Sequence, residues 1–193
     1  MKIILSYLLM LSISYSFTFD KWHSGQTWGE VVQFSEDINL PIHTHGIASG
    51  NKDFIKNITI DRHSKNKLIY MDTLLGEHTE NTLFFTKTSK KIYKISIRFV
   101  NTKDKKSLDS NIIRGLSKKY GKSKPEPLTI NTFIFPKRGL LWIKNSDYII
   151  FNPGMYGKII YTDNILANLN ENEILKTKKK VKEKNFVRDS NRL

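Results

Sequence analysis

Tyr93, Ile95, Ile97 and Phe99 alternate with Lys94, Ser96 and Arg98, an apolar–polar period of two that runs through most of 92–100. Successive side chains of a strand point to opposite faces, so this segment reads as an antiparallel strand with one face in a core and one in water. Strand-like runs at 68–75 and 82–86 precede it, and others at 130–135, 140–143, 148–151 and 158–161 follow. The connections between the later runs are turn sequences: 136–139 (Pro-Lys-Arg-Gly), 145–147 (Asn-Ser-Asp) and 152–154 (Asn-Pro-Gly). Short turns join neighbouring antiparallel strands, and together these runs predict a meander. The stretch 43–66 is polar and gives no clear period beyond a short strand at 57–60.

Elsewhere the period is helical. Thr27-Trp28-Gly29-Glu30 fits a capping box, in which the Thr hydroxyl and the Glu carboxylate each satisfy a free backbone N–H. Trp28, Val31 and Val32 then fall at i, i+3 and i+4, and Pro41 sets the limit of the helix because the residue before a proline is pushed out of helical geometry. A second helix is expected over 106–120, where Leu108, Ile112, Leu116 and Tyr120 recur every four residues and Gly121 provides a stop. A third begins after Asp163 or Asn164 with Ile165, Leu166 and Leu169 facing inward. Past Leu175 its apolar stripe gives way to Lys178-Lys179-Lys180 and Lys182-Glu183-Lys184, which reads as a fraying helix or a disordered tail.

Helix-then-meander thus occurs twice, over about 24–103 and 104–163. The fold class that follows is α+β: antiparallel meander sheet packed by helices in two layers. The domain is expected to span 17–163, followed by a C-terminal helix and Lys-rich tail over 164–193.

The first sixteen residues stand apart. Lys2 is followed by an apolar run over 3–13 and then by Ser14-Tyr15-Ser16, the charged, apolar, small-residue order of a secretory signal. The run is far shorter than the roughly twenty residues of a membrane-spanning helix, so a cleaved signal is the expected reading and an uncleaved amino-terminal anchor the alternative. Export, into a periplasm or out of the cell and with a bacterial envelope as the expected setting, is the localisation this order implies. No transmembrane helix is expected in the mature chain. The chain has no cysteine, which excludes a disulfide framework, a thiolate nucleophile and a lipid anchor on cysteine.

Charge sharpens the picture of partners. The chain carries a formal net charge of +14. Lys176, Lys178, Lys179, Lys180, Lys182, Lys184, Arg188 and Arg192 crowd its last eighteen residues against only Glu183 and Asp189. Such a segment suits an anionic membrane or polymer surface. Nucleic acid is disfavoured by export and by the near absence of aromatic residues among the lysines, Phe186 excepted.

Candidate chemistry is sparse. Of five histidines, His43 and His45 form the one close pair; on an extended segment both imidazoles face one side and can share a metal if His23, His63, Asp61 or Asp72 supplies a third ligand. There is no H-E-x-x-H, G-x-S-x-G, G-x-G-x-x-G or P-loop sequence, so no catalytic residue and no cofactor is assigned. Most of the eleven Phe, eight Tyr and three Trp fall on inward phases of strands and helices, with a groove for a peptide, glycan or lipid as the alternative use of some; Trp22 and His23, just after the signal, are expected to staple onto the first helix or else to contact a partner.

The plan over 27–32 with the strands to Val100, and over 108–121 with the strands to Tyr161, resembles small exported envelope proteins of the SmpA/OmlA outer-membrane-assembly type and tandem β-lactamase-inhibitor-like domains. The likeness covers about three quarters of the chain. It implies a two-layer fold and carries no site residues. The expected function is that of an exported, non-enzymatic envelope protein that binds a protein partner or an anionic surface polymer. A metal-binding protein or enzyme using His43 and His45, and a peripheral membrane or lipopolysaccharide binder using the basic tail, are the alternatives.

Overall fold

The computed structural model describes residues 17–44, 66–100, 102–125, 139–145, 147–154 and 157–190. In chain order the elements are β1 (Thr18–Phe19), β2 (Trp22–His23), α1 (Trp28–Asp37), β3 (Lys67–Leu74), β4 (Glu77–Phe85), β5 (Ile92–Phe99), α2 (Lys105–Tyr120), β6 (Lys124–Pro125), β7 (Leu140–Lys144), β8 (Asp147–Asn152), β9 (Lys158–Thr162) and α3 (Asn164–Ser190). The expected strands at 57–60 and 130–135 lie outside the described residues, as do the signal-like segment 1–16, His45 and Arg192.

Strands β3 to β9 form one antiparallel sheet in the order β3-β4-β5-β9-β8-β7-β6. Each helix-then-meander unit contributes one half, and the last strands of the two units, β5 and β9, pair at the centre. The fold is α+β, a meander sheet with helices packed on it. Period-two alternation sets the register. Leu68, Leu83, Ile95, Tyr161, Ile149 and Trp142 lie in one row across six strands, and all six are buried. A slip of one residue would turn such a row to the opposite face, so the apolar pattern strongly specifies this pairing.

Trp28 and Val31 of α1 and Leu108, Ile112 and Leu116 of α2 join these strand residues in a single core cluster. Both amphipathic stripes are therefore buried together, as their spacing predicts. The capping box of α1 is present: the Thr27 N–H donates to Glu30 Oε2 at 2.6 Å, and the Glu30 N–H donates to Thr27 Oγ1 at 3.4 Å. Thr27→Ala should cost about 1 kcal/mol, read as a lower denaturant midpoint with an unchanged slope.

The two-residue strands β1 and β2 make a small hairpin that the sequence pattern does not announce. It carries Trp22, fully buried, with its ring edge-on to Phe34 of α1 at 5.7 Å and to Tyr70 of β3 at 5.8 Å. The staple onto α1 is thus realised, with β3 held as well. Lys21 in the hairpin turn pairs with Asp20 and, at 2.9 Å, with Asp72 of β3.

The C-terminal segment bears on two expectations. First, of the fraying helix and the disordered tail that the Lys-rich stretch allows, the helix is the one seen: α3 continues through it to Ser190. Residues 164–190 contain neither Gly nor Pro, and Lys, Glu, Leu and Ala are strong helix formers, so backbone propensity favours the helix where packing no longer does. At 27 residues it is about 40 Å long. Second, Ile165 and Leu169 are not inward: they are 66% and 39% exposed. The phase is set by Asp163, whose own N–H is held by Tyr93 O at 2.9 Å and whose carboxylate accepts from the Leu166 N–H at 2.9 Å. That anchor turns Leu166, Ala167, Asn170, Glu173 and Ile174 towards the sheet side.

Candidate functional site: the root and basic extension of α3

The β4–β5 turn, 86–91, is closed by its own hydrogen bonds. The Thr86 N–H donates to Lys91 O at 2.9 Å, and the Lys91 N–H donates to Thr86 Oγ1 at 3.0 Å. Three N–H groups at its tip need other acceptors, and α3 supplies them. Asn170 Oδ1 accepts from the Lys87 N–H at 2.8 Å, while the two Glu173 oxygens accept from the Thr88 N–H at 2.6 Å and the Ser89 N–H at 3.2 Å. Burial opposes the Glu173 charge, yet the Thr88 and Ser89 donors outweigh it and hold the carboxyl below its usual range. The root of the helix is therefore fastened by charge-assisted bonds to backbone rather than by an apolar stripe.

Between this root and strands β4 and β5 lies a groove of about 460 Å³. Phe84, Tyr93 and Ile174 give it an apolar lining, and Lys87 and Lys178 contribute to its wall as well. Beside it the Lys94 ammonium sits 4.2 Å from the centroid of the Phe84 ring. Burial, with a smaller contribution from Lys158, pushes the Lys94 amine below its ordinary value. A β-bulge helps place the aromatic wall: Phe84 pairs with Lys94 and Phe85 with Ile92, which leaves Tyr93 as the extra residue.

Beyond the groove α3 carries the cations that the sequence singled out. Lys176, Lys178, Lys179, Lys180, Lys182, Lys184 and Arg188 are all exposed and all on this one element. Lys176, Lys180, Lys184 and Arg188 recur every four residues, which lines them up along one slowly turning side of the helix. Among the described residues none of the six lysines is in an ion pair. Like charges four apart destabilise a helix by a few tenths of a kcal/mol per pair, so a surface that neutralises them stabilises this conformation. Leu175, Val181, Phe186 and Val187 are exposed among the cations.

The histidine pair is not assembled among the described residues. His43 is buried and forms a two-bond backbone bridge with Ile69 of β3, at 2.8 and 2.7 Å. His45, His63 and Asp61 lie outside the described residues. Asp72 is engaged by Lys21, and His23 Nδ1 lies 3.1 Å from Ser24 O. No group of three His, Cys, Asp or Glu able to hold a metal is found among the described residues. Burial pushes the His43 imidazole below its ordinary value. The unfolded chain then binds the proton more readily than the fold does, so the neutral-His43 contribution is intact above about pH 6.5 and is lost as pH falls through the lower folded-state value. Comparison of His43→Gln with the parent in denaturant melts from pH 7.5 to 5 should show a flatter acid-side decline in the variant.

Sequence reasoning found the cations and missed Asn170 and Glu173. Their signal is phase: both share the face of Leu166 and Ile174, where a polar residue needs a nearby donor. Among the described residues no helix is long and apolar enough to cross a membrane. No family model, no curated protein and no solved structure matches the chain.

Proposed function

We propose that this is an exported, non-enzymatic binding protein that docks reversibly on an anionic membrane surface through the basic half of α3. The observation that carries the reading is the concentration of seven exposed cations on one helix whose root is fastened to the sheet. A Lys or Arg near an anionic bilayer contributes about 1 kcal/mol, and the effect decays within a Debye length of about 8 Å at physiological salt. Several such residues on one rigid element reach that layer together, whereas cations scattered over a sphere do not. Export rests on the order of residues 1–16, and kinship with SmpA/OmlA-type envelope proteins rests on the helix-then-meander plan; both belong to the same proposal.

Co-sedimentation with vesicles tests it. The protein should pellet with vesicles containing phosphatidylglycerol, remain in solution with pure phosphatidylcholine, and be released by about 0.5 M salt. Equal binding to both vesicles, or binding to neither, removes the membrane from the account; capture by an anionic polymer alone would transfer the role to a surface polymer.

A further inference from the structure

The charge on α3 explains attraction to a surface but leaves the groove at its root unused. We propose that this groove binds the chain of a single-chain anionic amphiphile, with the acidic headgroup held by Lys87 and Lys178. The inference rests on the anionic-surface reading for the sign of the ligand's charge, and otherwise on the groove itself.

Four observations support it. The groove is of ligand size: its volume of about 460 Å³ falls within the roughly 300–1,000 Å³ of small-molecule sites. Its chemistry is divided. Phe84, Tyr93 and Ile174 offer apolar walls, while Lys87 on the turn and Lys178 on the helix supply cations from its two sides. An apolar chain gains from the first and an acidic headgroup from the second.

Among the described residues the groove lining contains no carboxylate. Glu173, at the helix root, keeps its charge but turns both oxygens to the N–H groups of Thr88 and Ser89, and Lys94 adds a third ammonium beside Phe84. With Lys87, Lys178 and Lys94 set against the one anion, the local balance favours an anion over a cation of equal chain length. The same bonds that fasten Asn170 and Glu173 to the turn fix the position of the helix wall relative to the sheet wall, so the groove is preformed and little ordering opposes entry.

Isothermal titration of the full chain with dodecanoate, kept below its micelle concentration, tests the site. Saturable one-to-one binding is expected, with dodecyltrimethylammonium at least tenfold weaker. Ile174→Lys replaces an apolar wall by a charge and should weaken dodecanoate at least tenfold while leaving anionic-vesicle binding intact, since it adds a cation to the docking helix. The quadruple change Lys179→Gln, Lys180→Gln, Lys182→Gln and Lys184→Gln should do the reverse, sparing dodecanoate and losing the vesicles. Absence of saturable dodecanoate binding, unchanged affinity in Ile174→Lys, or equal affinity for the cationic amphiphile each overturns the proposal. Loss of vesicle binding by the parent protein would instead overturn the membrane reading while leaving this titration to stand.

Discussion

Anionic-vesicle binding should fall about 30-fold or more when Lys179, Lys180, Lys182 and Lys184 are all changed to Gln. The four are distributed around the helix, so at least two face the surface in any docked pose; two cations at about 1 kcal/mol each give about 2 kcal/mol, and every 1.4 kcal/mol is tenfold in affinity. The fold should be indifferent to the change. All four side chains are exposed, none is in an ion pair among the described residues, and Gln is nearly as good a helix former as Lys. Circular dichroism and the melting temperature should therefore match the parent, which isolates the electrostatic effect. Vesicle binding within threefold of the parent would show that the extension is a solvated helix without a surface to meet.

The second large effect concerns the body. Trp22→Ala should destabilise the protein by about 3–5 kcal/mol, a large share of the roughly 5–15 kcal/mol that holds an ordinary domain together. The indole is fully buried and touches rings from both α1 and β3, so truncation leaves a cavity that neither element can close alone. Trp142→Ala, in β7 of the other helix-then-meander unit, should cost a similar amount. Both indoles belong to one core cluster whose rows run through the central β5–β9 pairing. Urea unfolding of either variant should accordingly remain a single transition with its midpoint lowered. Two resolved transitions, each shifted by only one of the substitutions, would mean that the two units have separate cores.

How much of this was legible in the sequence depends on where the forces are. The strands around Tyr93 to Phe99 and the helices at Trp28 and Leu108 announce themselves because burial of one face imposes a period, and the capping box at Thr27 is a local chemical pattern. The order of the sheet is different. That β5 and β9 pair in the middle follows from the two units meeting, a long-range event that no local period records. The two-residue strands β1 and β2 are too short to show a period at all. At α3 the search for an apolar stripe chose Ile165 and Leu169. The actual phase is imposed by polar bonds of Asp163, Asn170 and Glu173, whose partners (the Tyr93 carbonyl of β5 for the Asp163 N–H, and the N–H groups of the β4–β5 turn for the other two) lie about seventy to eighty-five residues away in sequence.

The same reasoning separates the candidate sites. The cations of 176–188 were legible because charge is a property of composition, and the helix gathers them onto one element whatever it packs against. The groove was not legible, since Phe84, Tyr93 and Ile174 come from three elements and each reads singly as an ordinary core residue. Of the close histidine pair only His43 is described: its backbone binds residues 42–44 to the edge of β3 and its imidazole is buried, while His45 lies outside the described residues.

The central claim is that the basic half of α3 is the element that meets the surface. Amide hydrogen exchange of the full chain, with and without vesicles of mixed phosphatidylglycerol and phosphatidylcholine, addresses it residue by residue. The account predicts slowed exchange across 176–190 with the anionic vesicles and no change with pure phosphatidylcholine. Unchanged exchange in that segment, with protection appearing instead on the sheet or on α1, would contradict it.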